Sequence, residues 1–177
     1  MLIEARMRQK YYCAISTILE GTCFRFSRRT RRPPEDAVNA MMGFGNVCLY
    51  QRIATEIHKA GLDTRFSFLH ASQKGRDSLN LDIAEVFKPL IVDRAILSLI
   101  NRREIDIHSH FEEGEYGGIY LNREGKRIFL QELQDRLFTS VTVKGKNLNW
   151  LSIIRNEVYK IKSSLLEDSE YQPYHHR

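Results

Sequence analysis

The sequence predicts a mainly α-helical fold with one small β-hairpin. Most of the chain repeats apolar residues every three or four positions, which is the period of an amphipathic helix. One stretch alternates apolar and polar residues around an acidic glycine turn, as a hairpin does. With 177 residues, the chain is long enough for one domain with a real core and too short for two comfortable ones. We therefore expect a single domain over residues 1–177.

The first helix is predicted from Leu2 to about Glu20. Its apolar stripe, expected to face inward, consists of Met7, Tyr11, Ala14, Ile15 and Ile18. Extended back one turn, the stripe meets Glu4, whose side chain should point inward or into a cleft. The basic stretch FRFSRRTRRPPED follows at 24–36, and its two prolines exclude a continuing helix. We expect a flexible linker there, with four arginines: Arg28, Arg29, Arg31 and Arg32.

The second helix is expected to be capped by Asp36 and ended by Gly61. Its inner face would consist of Val38, Met41, Met42, Gly45, Leu49, Ile53 and Ile57. After a loop at 61–77, a third stripe runs from residue 79 to residue 97, with Pro89 inside it. Proline removes an amide donor and its ring crowds the preceding turn, so a kink is expected at Pro89.

The hairpin is predicted from IDIHSHF at 105–111 and GGIYLN at 117–122. Asn122 can cap a further helix at about 123–139. The last helical stripe consists of Leu151, Ile154, Val158, Ile161 and Leu165. The tyrosine- and histidine-rich tail from about residue 170 is expected to be disordered.

The composition excludes several classes of protein. Hydrophobic residues make up 42% of the chain and charged residues 28%, which is the balance of a folded protein and not of a disordered tail. The most apolar stretch, at 90–100, contains Asp93 and Arg94 and is too short for a membrane span. Glu4 and Arg6 are incompatible with a signal peptide. We therefore expect no membrane association and a cytoplasmic location.

The chain has three cysteines, Cys13, Cys23 and Cys48. Their number is odd and their spacing is not that of a metal site, so we expect reduced thiols in the core.

The charge of the chain bears on nucleic-acid binding. The formal net charge of +5 permits nucleic-acid binding without requiring it. Besides the four linker arginines, Lys74 and Arg76 are the basic residues expected to contact phosphate.

Asp82 and Glu85 are three residues apart, so on a helix their carboxylates can reach one cation. A solvated helix edge is the plainer interpretation of this pair. For Glu4, a helix-end glutamate favoured by the helix dipole is the alternative, and for His70 a neutral core histidine. Taken together, the four residues form a set of oxygen donors with one imidazole, which suits Mn²⁺ or Mg²⁺ better than structural zinc. Such a cation in a basic cleft is typical of phosphodiester chemistry.

A second arrangement of histidines lies in the predicted hairpin. In HSH, His108 and His110 would share one face of a strand and could hold a metal. Two ligands leave such a site incomplete, and a hairpin surface needs no metal to explain them.

Five motifs follow one another along nearly the whole chain: EARMRQKYY at 4–12, NAMMGFGNVCLY at 39–50, GLDTRFSFLH at 61–70, SLNLDIAEVFKPLIVDR at 78–94 and RNEVYKIK at 155–162. In these motifs the chain resembles the family of CRISPR-associated spacer integrases, in particular its type I-B branch. The resemblance implies the family's helical catalytic domain, with Mg²⁺ or Mn²⁺ held by Glu4, His70 and Glu85. Asp82 matches a second acidic residue near the metal, and Arg8, which matches a residue of the first motif, is a further predicted DNA-binding residue.

The resemblance also implies an activity and partners. The activity is metal-dependent DNA cleavage and the joining of spacer 3′-hydroxyl ends to the CRISPR repeat. The partners are protospacer and repeat DNA, a second copy of the chain, and a small ferredoxin-like adaptation nuclease. Family members carry a β-rich N-terminal domain that supplies much of the dimer contact. We expect that domain to be absent here, and the homodimer is therefore an open expectation. The alternative is therefore a catalytically impaired DNA-binding remnant of the family.

Overall fold

A computed structural model describes residues 2–66, 78–114, 117–143 and 145–175, with only the backbone described for residues 2–4. The described residues form seven α-helices, one π-helical turn and two antiparallel strand pairs. Their bounds are α1 Leu2–Ile18, α2 Ala37–Lys59, α3 Leu79–Lys88, the π-helical turn Pro89–Asp93, α4 Arg94–Asn101, α5 Ile107–His110, β1 Phe111–Glu113, β2 Ile119–Leu121, α6 Arg123–Phe138, β3 Ser140–Val143, β4 Lys146–Asn149 and α7 Trp150–Glu167. The predicted mainly α-helical class is confirmed, and a second hairpin accompanies the predicted one.

The chain divides into two compact units. The first comprises Met1–Gly45 and Ile96–Gln131, and the second comprises Asn46–Ala95 and Glu132–Arg177. The borders fall inside helices α2, α4 and α6. The prediction of one domain stays a prediction. Within the described ranges, no helix combines the length and the apolar character that crossing a membrane requires.

Helix α1 begins and ends close to its predicted bounds, but its apolar stripe does not face inward. Ile15 is buried, whereas Met7 is 67% exposed and Ile18 54% exposed. Tyr11 is partly exposed as well. Helical periodicity fixes which residues share a face, but it does not specify what covers that face. The expectation of an inward stripe was therefore wrong for α1.

The basic connector before α2 is held in place by hydrogen bonds, which corrects the expectation of a flexible linker. Asn39 is completely buried, and its Nδ2 donates to the carbonyl oxygen of Arg28 at 2.9 Å and to Asp36 Oδ2 at 2.7 Å. Its Oδ1 accepts from the Thr30 amide at 2.9 Å and from Arg29 Nη1 at 2.8 Å. Asp36 also caps α2 as predicted, because its Oδ1 accepts the Asn39 amide at 2.7 Å. One buried side chain therefore orders the connector against the start of α2.

The first half of the predicted hairpin is a helical turn. Asp106 Oδ1 accepts the amides of His108 and Ser109, both at 3.0 Å, and so starts α5 where a strand was expected. Only Phe111–Glu113 pairs with Ile119–Leu121. An aspartate that hydrogen-bonds nearby backbone amides favours such a turn over a strand.

Asn122 caps α6 as predicted, and the approach of α6 requires a glycine. Asn122 Oδ1 accepts the Gly125 amide at 2.9 Å, while its Nδ2 donates to the Ser109 carbonyl at 2.9 Å. A Cβ at Gly125 would lie 2.2 Å from the backbone oxygen of His110. Helix α6 can therefore pack against the end of α5 only with glycine at this position.

In the second unit, Glu56 joins α2 to α7. Its side chain is 1% exposed, Arg155 Nε donates to Oε2 at 2.8 Å, and Lys59 Nζ lies 3.0 Å from Oε1. Lys162 Nζ also donates to the carbonyl of Ala60 at 2.8 Å. Burial by itself would raise the pKa of Glu56, but the hydrogen bonds and charges of Arg155 and Lys59 outweigh it and lower that pKa.

The second hairpin, β3 with β4, precedes α7 and was not predicted. Val141 pairs with Leu148, and Gly145 between the strands has a φ of +76°, a value that favours glycine. Asn149 then caps α7 by accepting the Ser152 amide at 2.8 Å. The alternating SVTV segment and the following glycine were the available signals.

Two of the three cysteines are on the surface, which corrects the expectation of core thiols. Cys13 and Cys23 are exposed. Cys48 is half-buried, and burial raises the pKa of its thiol. An odd number of cysteines excludes a full disulfide framework but says little about burial.

We predict that Glu56→Gln lowers the free energy of unfolding by about 1–3 kcal/mol at pH 7, because a buried charged hydrogen-bond acceptor is lost. The folded-state pKa of Glu56 lies below its ordinary value of 4.5, so this stabilisation is present above that pH and is lost as the pH falls. Urea unfolding at pH 7, 5 and 3.5 should show the two proteins converging at acid pH. Glu35→Gln, which breaks only a surface pair with Arg28, is the control. If Glu56→Gln were as stable as the wild type at pH 7, the buried carboxylate of Glu56 would not stabilise the fold.

A second prediction concerns Asn39. Asn39→Ala removes the partner of the Thr30 amide and of the Arg28 carbonyl and empties a fully buried position, so we expect a loss of about 3 kcal/mol in urea unfolding. Trypsin should then cut the connector faster than in the wild type, because its order depends on Asn39. Asn156→Ala, on the exposed face of α7, should change stability by less than about 0.5 kcal/mol. Unchanged cleavage in the connector would show that Asn39 does not order it.

Candidate metal centre and nucleic-acid interface

Helix α3 carries the acidic pair on a well-anchored scaffold. The amides of Ser78 and Leu79 both donate to the carbonyl oxygen of Thr64, at 2.8 and 2.9 Å, and fix the start of the helix. Leu79, Ile83, Ala84 and Phe87 are buried on its apolar face. Asp82 is 8% exposed, and the Glu85 side chain is 33% exposed. Asp82 is therefore the more buried of the pair.

A lysine ammonium group compensates the charge of Glu85. Lys88 Nζ lies 2.6 Å from Glu85 Oε1, and the Lys88 side chain is only 17% exposed. The same nitrogen lies 5.0 Å from the centre of the Tyr50 ring on α2. A cation therefore already occupies the edge of the acidic pair, so this position on α3 accommodates positive charge.

The described residues include only part of the predicted metal centre. Asp82 and Glu85 lie on one helix, and carboxylate oxygens are the ligands that a hard divalent cation prefers. For Glu4 the backbone is described as part of α1, but the side chain is not. His70, Lys74 and Arg76 lie outside the described residues. Among the residues whose side chains are described, no group of three or more metal-ligating residues comes together.

The expected kink at Pro89 is a π-helical turn, Pro89–Asp93, which follows α3 directly. Arg136 Nε of α6 donates to the carbonyl oxygen of Leu90 at 3.1 Å. Burial lowers the pKa of Arg136, the nearby charge of Arg94 lowers it further, and Glu132 opposes both effects. Single π turns occur often at functional sites. Sequence analysis did not identify Arg136, because nothing in its spacing indicates a carbonyl partner 46 residues earlier.

The predicted phosphate-binding arginines differ in how they are held. Arg29 is only half-exposed and donates a hydrogen bond to Asn39, so a structural role in the connector accounts for it. Arg28 is 73% exposed and pairs with Glu35 at 3.0 Å. Arg31 and Arg32 are exposed and form no ion pair within the described part of the chain. Arg8 is exposed on α1. Arg31 and Arg32 are therefore the best placed for a phosphate.

The two histidines of HSH do not share a strand face. Both lie on helix α5, where His108 is exposed and His110 is half-buried. His110 Nδ1 accepts the amide of Asp106 at 2.8 Å, so the one unprotonated nitrogen of its neutral imidazole is already used. The geometry that the strand prediction required is therefore absent at these two residues.

Comparison with known proteins identifies relatives over almost the whole chain. A CRISPR-associated endonuclease Cas1 of Thermodesulfovibrio yellowstonii is 42% identical over 176 residues, which are 98% of this chain and 53% of that protein. The corresponding endonuclease of Thermotoga maritima is 38% identical over 97% of this chain and 54% of its own length. The chain spans about half the length of the curated relatives it matches.

Solved structures show the same fold. The structure of TM1797, a CAS1 protein from Thermotoga maritima, superposes with a TM-score of 0.83 at 38% identity, over 93% of this chain and 50% of that one. A casposase bound to an integration product gives a TM-score of 0.87 at 25% identity, over 99% of this chain and 53% of that one. The family model of the CRISPR associated protein Cas1 matches residues 1–135. On these matches, the chain belongs to the Cas1 family.

Proposed function

We propose that the chain is a metal-dependent DNA endonuclease and integrase domain that acts in CRISPR adaptation. The observation that carries the proposal is the acidic pair on α3, Asp82 and Glu85, which lie one turn apart on the same helix. It is supported by relatives named as CRISPR-associated endonucleases and by the likeness to a casposase bound to an integration product. The proposed reactions are cleavage of a DNA phosphodiester and attack of a spacer 3′-hydroxyl on the repeat, whose own phosphodiester bond breaks.

Glu4, His70 and Glu85 would hold Mg²⁺ or Mn²⁺, with Asp82 beside them. When bound, the ion would polarise the phosphoryl oxygen and offset the charge that develops on it. Lys88, whose Nζ lies 2.6 Å from Glu85 Oε1, would compete with a metal ion for this carboxylate. The Tyr50 ring, 5.0 Å from Lys88 Nζ, offers the ammonium group an attractive neighbour that does not depend on Glu85.

DNA and a Cas2-type subunit are the proposed partners. One similar structure is a Cas6-RT-Cas1--Cas2 complex, which superposes with a TM-score of 0.81 at 25% identity, over 97% of this chain and 19% of that one. Exposed arginines of the connector, Arg31 and Arg32, would bind backbone phosphates. We also propose Lys74 and Arg76 for this role, because in the sequence they lie between His70 and the acidic pair.

The metal can be tested by thermal unfolding and calorimetry with Mn²⁺ and, separately, Mg²⁺. Ligand that binds only the native state at 100 times its Kd stabilises it by about 2.7 kcal/mol. We expect the melting temperature of the wild type to rise with Mn²⁺ and the rise to be lost in Glu4→Ala, His70→Ala and Glu85→Gln. Glu112→Gln, an exposed glutamate of β1, should respond like the wild type. An identical rise in all four variants would exclude the proposed ligand set.

The DNA interface can be tested by fluorescence anisotropy with branched DNA over a range of salt concentrations. Replacing Arg31 and Arg32 by alanine should weaken binding and reduce the slope of log K against log salt by about 2, since each phosphate contact contributes about 0.9. Lys74→Glu with Arg76→Glu should act in the same direction. Arg127→Ala, whose guanidinium is paired with Glu124, is the control. An unchanged slope would remove these residues from the interface.

Incubating the same DNA with Mn²⁺ separates the enzyme from its alternative. Cleavage or strand joining that is abolished by Glu85→Gln supports the proposed activity. Salt-dependent binding without either product would favour the DNA-binding remnant.

A further inference from the structure

The segment after α7, residues 169–175, folds back along α7. The helix ends at Glu167, and Asp168 has a φ of 48°, in the left-handed region. The Ser169 amide donates to the carbonyl of Ser164 at 3.1 Å. We call residues 169–175 the strap. The sequence predicted a disordered tail here, but both tyrosines of the strap make specific contacts with other residues of the second unit.

A buried glutamate of α7 anchors the strap. Glu157 is 1% exposed, and its Oε1 accepts hydrogen bonds from the Tyr171 hydroxyl and, at 2.9 Å, from the Tyr174 amide. Lys160 Nζ lies 2.6 Å from Glu157 Oε2 and also donates to the Gln172 carbonyl at 2.8 Å. A buried carboxylate is tolerated only when donors compensate its lost hydration. Two of the donors to Glu157 come from the strap, which accounts for a glutamate on this buried face.

The hydroxyl of Tyr171 keeps its proton and so remains a hydrogen-bond donor. Burial raises its pKa, and the hydrogen bond to Glu157 raises it further. The group therefore remains protonated throughout the physiological range. The anchor consequently does not depend on small changes in pH.

The second contact of the strap is aromatic and reaches α3. The Tyr174 ring stacks on Phe87, with centroids 5.9 Å apart and planes at 18°. It also meets Trp150 edge-on at 6.2 Å. Phe87 and Trp150 are 0% and 1% exposed. Phe87 lies two residues after Glu85, on the same ten-residue helix. The strap therefore connects α7 to the helix that carries the acidic pair.

We propose that the strap positions α3, so that Glu157 and Tyr174 are positioning residues for the metal centre. The inference rests on the proposed function where it concerns the metal. Helix α3 is fixed at its start by Thr64 and at its end by the π-helical turn with Arg136. The stacking on Phe87 supplies a lateral restraint between these two ends. Without this stacking, α3 would lose one of its restraints, and any sideways shift of the helix would move Glu85 with it.

The test compares Tyr174→Ala and Glu157→Gln with Tyr174→Phe, which keeps the ring. Trp150 is the single tryptophan of the chain, so its fluorescence reports the strap directly. Both Tyr174→Ala and Glu157→Gln should shift its emission to longer wavelength and increase quenching by acrylamide. Amide hydrogen exchange should become about tenfold faster in α3, while α2 exchanges as in the wild type. Tyr174→Phe should resemble the wild type in every measurement.

Calorimetry with Mn²⁺, well below the unfolding temperature, gives the functional measurement. Tyr174→Ala should raise the Kd for Mn²⁺ by about tenfold, the effect typical of residues that orient metal ligands indirectly. Tyr174→Phe, which keeps the ring, should bind Mn²⁺ with the wild-type Kd. If the tryptophan emission shifts but neither α3 exchange nor the Kd changes, the positioning role is refuted. An unshifted emission in both disruptive variants would refute the strap itself.

The two proposals fail in different ways. A wild type that binds no Mn²⁺ overturns the proposed metal centre, while faster α3 exchange in Tyr174→Ala still supports the strap. If the wild type and both disruptive variants bind Mn²⁺ with the same Kd and α3 exchange is unchanged, the metal centre stands and the positioning role of the strap is overturned.

Discussion

Asp82 and Glu85 place two like charges one turn apart on α3, and the surroundings of that helix depend on how those charges are compensated. Two carboxylates so close repel each other unless a cation or a hydrogen-bond donor lies beside them. Lys88 supplies a cation to Glu85 from the next turn of the same helix. The compensation is local, so α3 can form and pack with its acidic edge in place.

Longer-range restraint of α3 comes from groups that are distant in sequence. Thr64 binds its first amides, Arg136 binds the carbonyl of Leu90 just after its end, and Tyr174 stacks on Phe87. Glu56 and Glu157 follow a related rule, since each is a buried carboxylate compensated by donors. Removing one partner of a buried charge is costly, because the remaining charge is left without hydration or a donor. These carboxylates therefore specify how segments meet more than they add stability.

Local rules predicted much of the fold, and contacts between distant segments account for most of the rest. Asp36 and Asn122 cap the helices expected of them, because a cap needs only a side chain within three residues of its amide. The exposed stripe of α1 and the Asn39 network could not be predicted in this way, since each depends on what another segment covers or donates. The same reasoning applies to the candidate site. The three-residue spacing of Asp82 and Glu85 predicted that they are neighbours on one helix, whereas no periodicity indicated the contact of Arg136 with Leu90 or the contacts of the strap.

Lys88 links the stability of α3 to its proposed chemistry. In this structure its ammonium group lies at Glu85 and over the Tyr50 ring at once. A divalent cation at Glu85 would bring a larger charge to the same carboxylate and repel the ammonium group. Tyr50 belongs to α2, so its ring offers the ammonium group a neighbour that does not depend on Glu85. An exchange of one cation for another at Glu85 would require Lys88 to move, while Thr64 holds the start of α3 and Arg136 holds the turn just after its end.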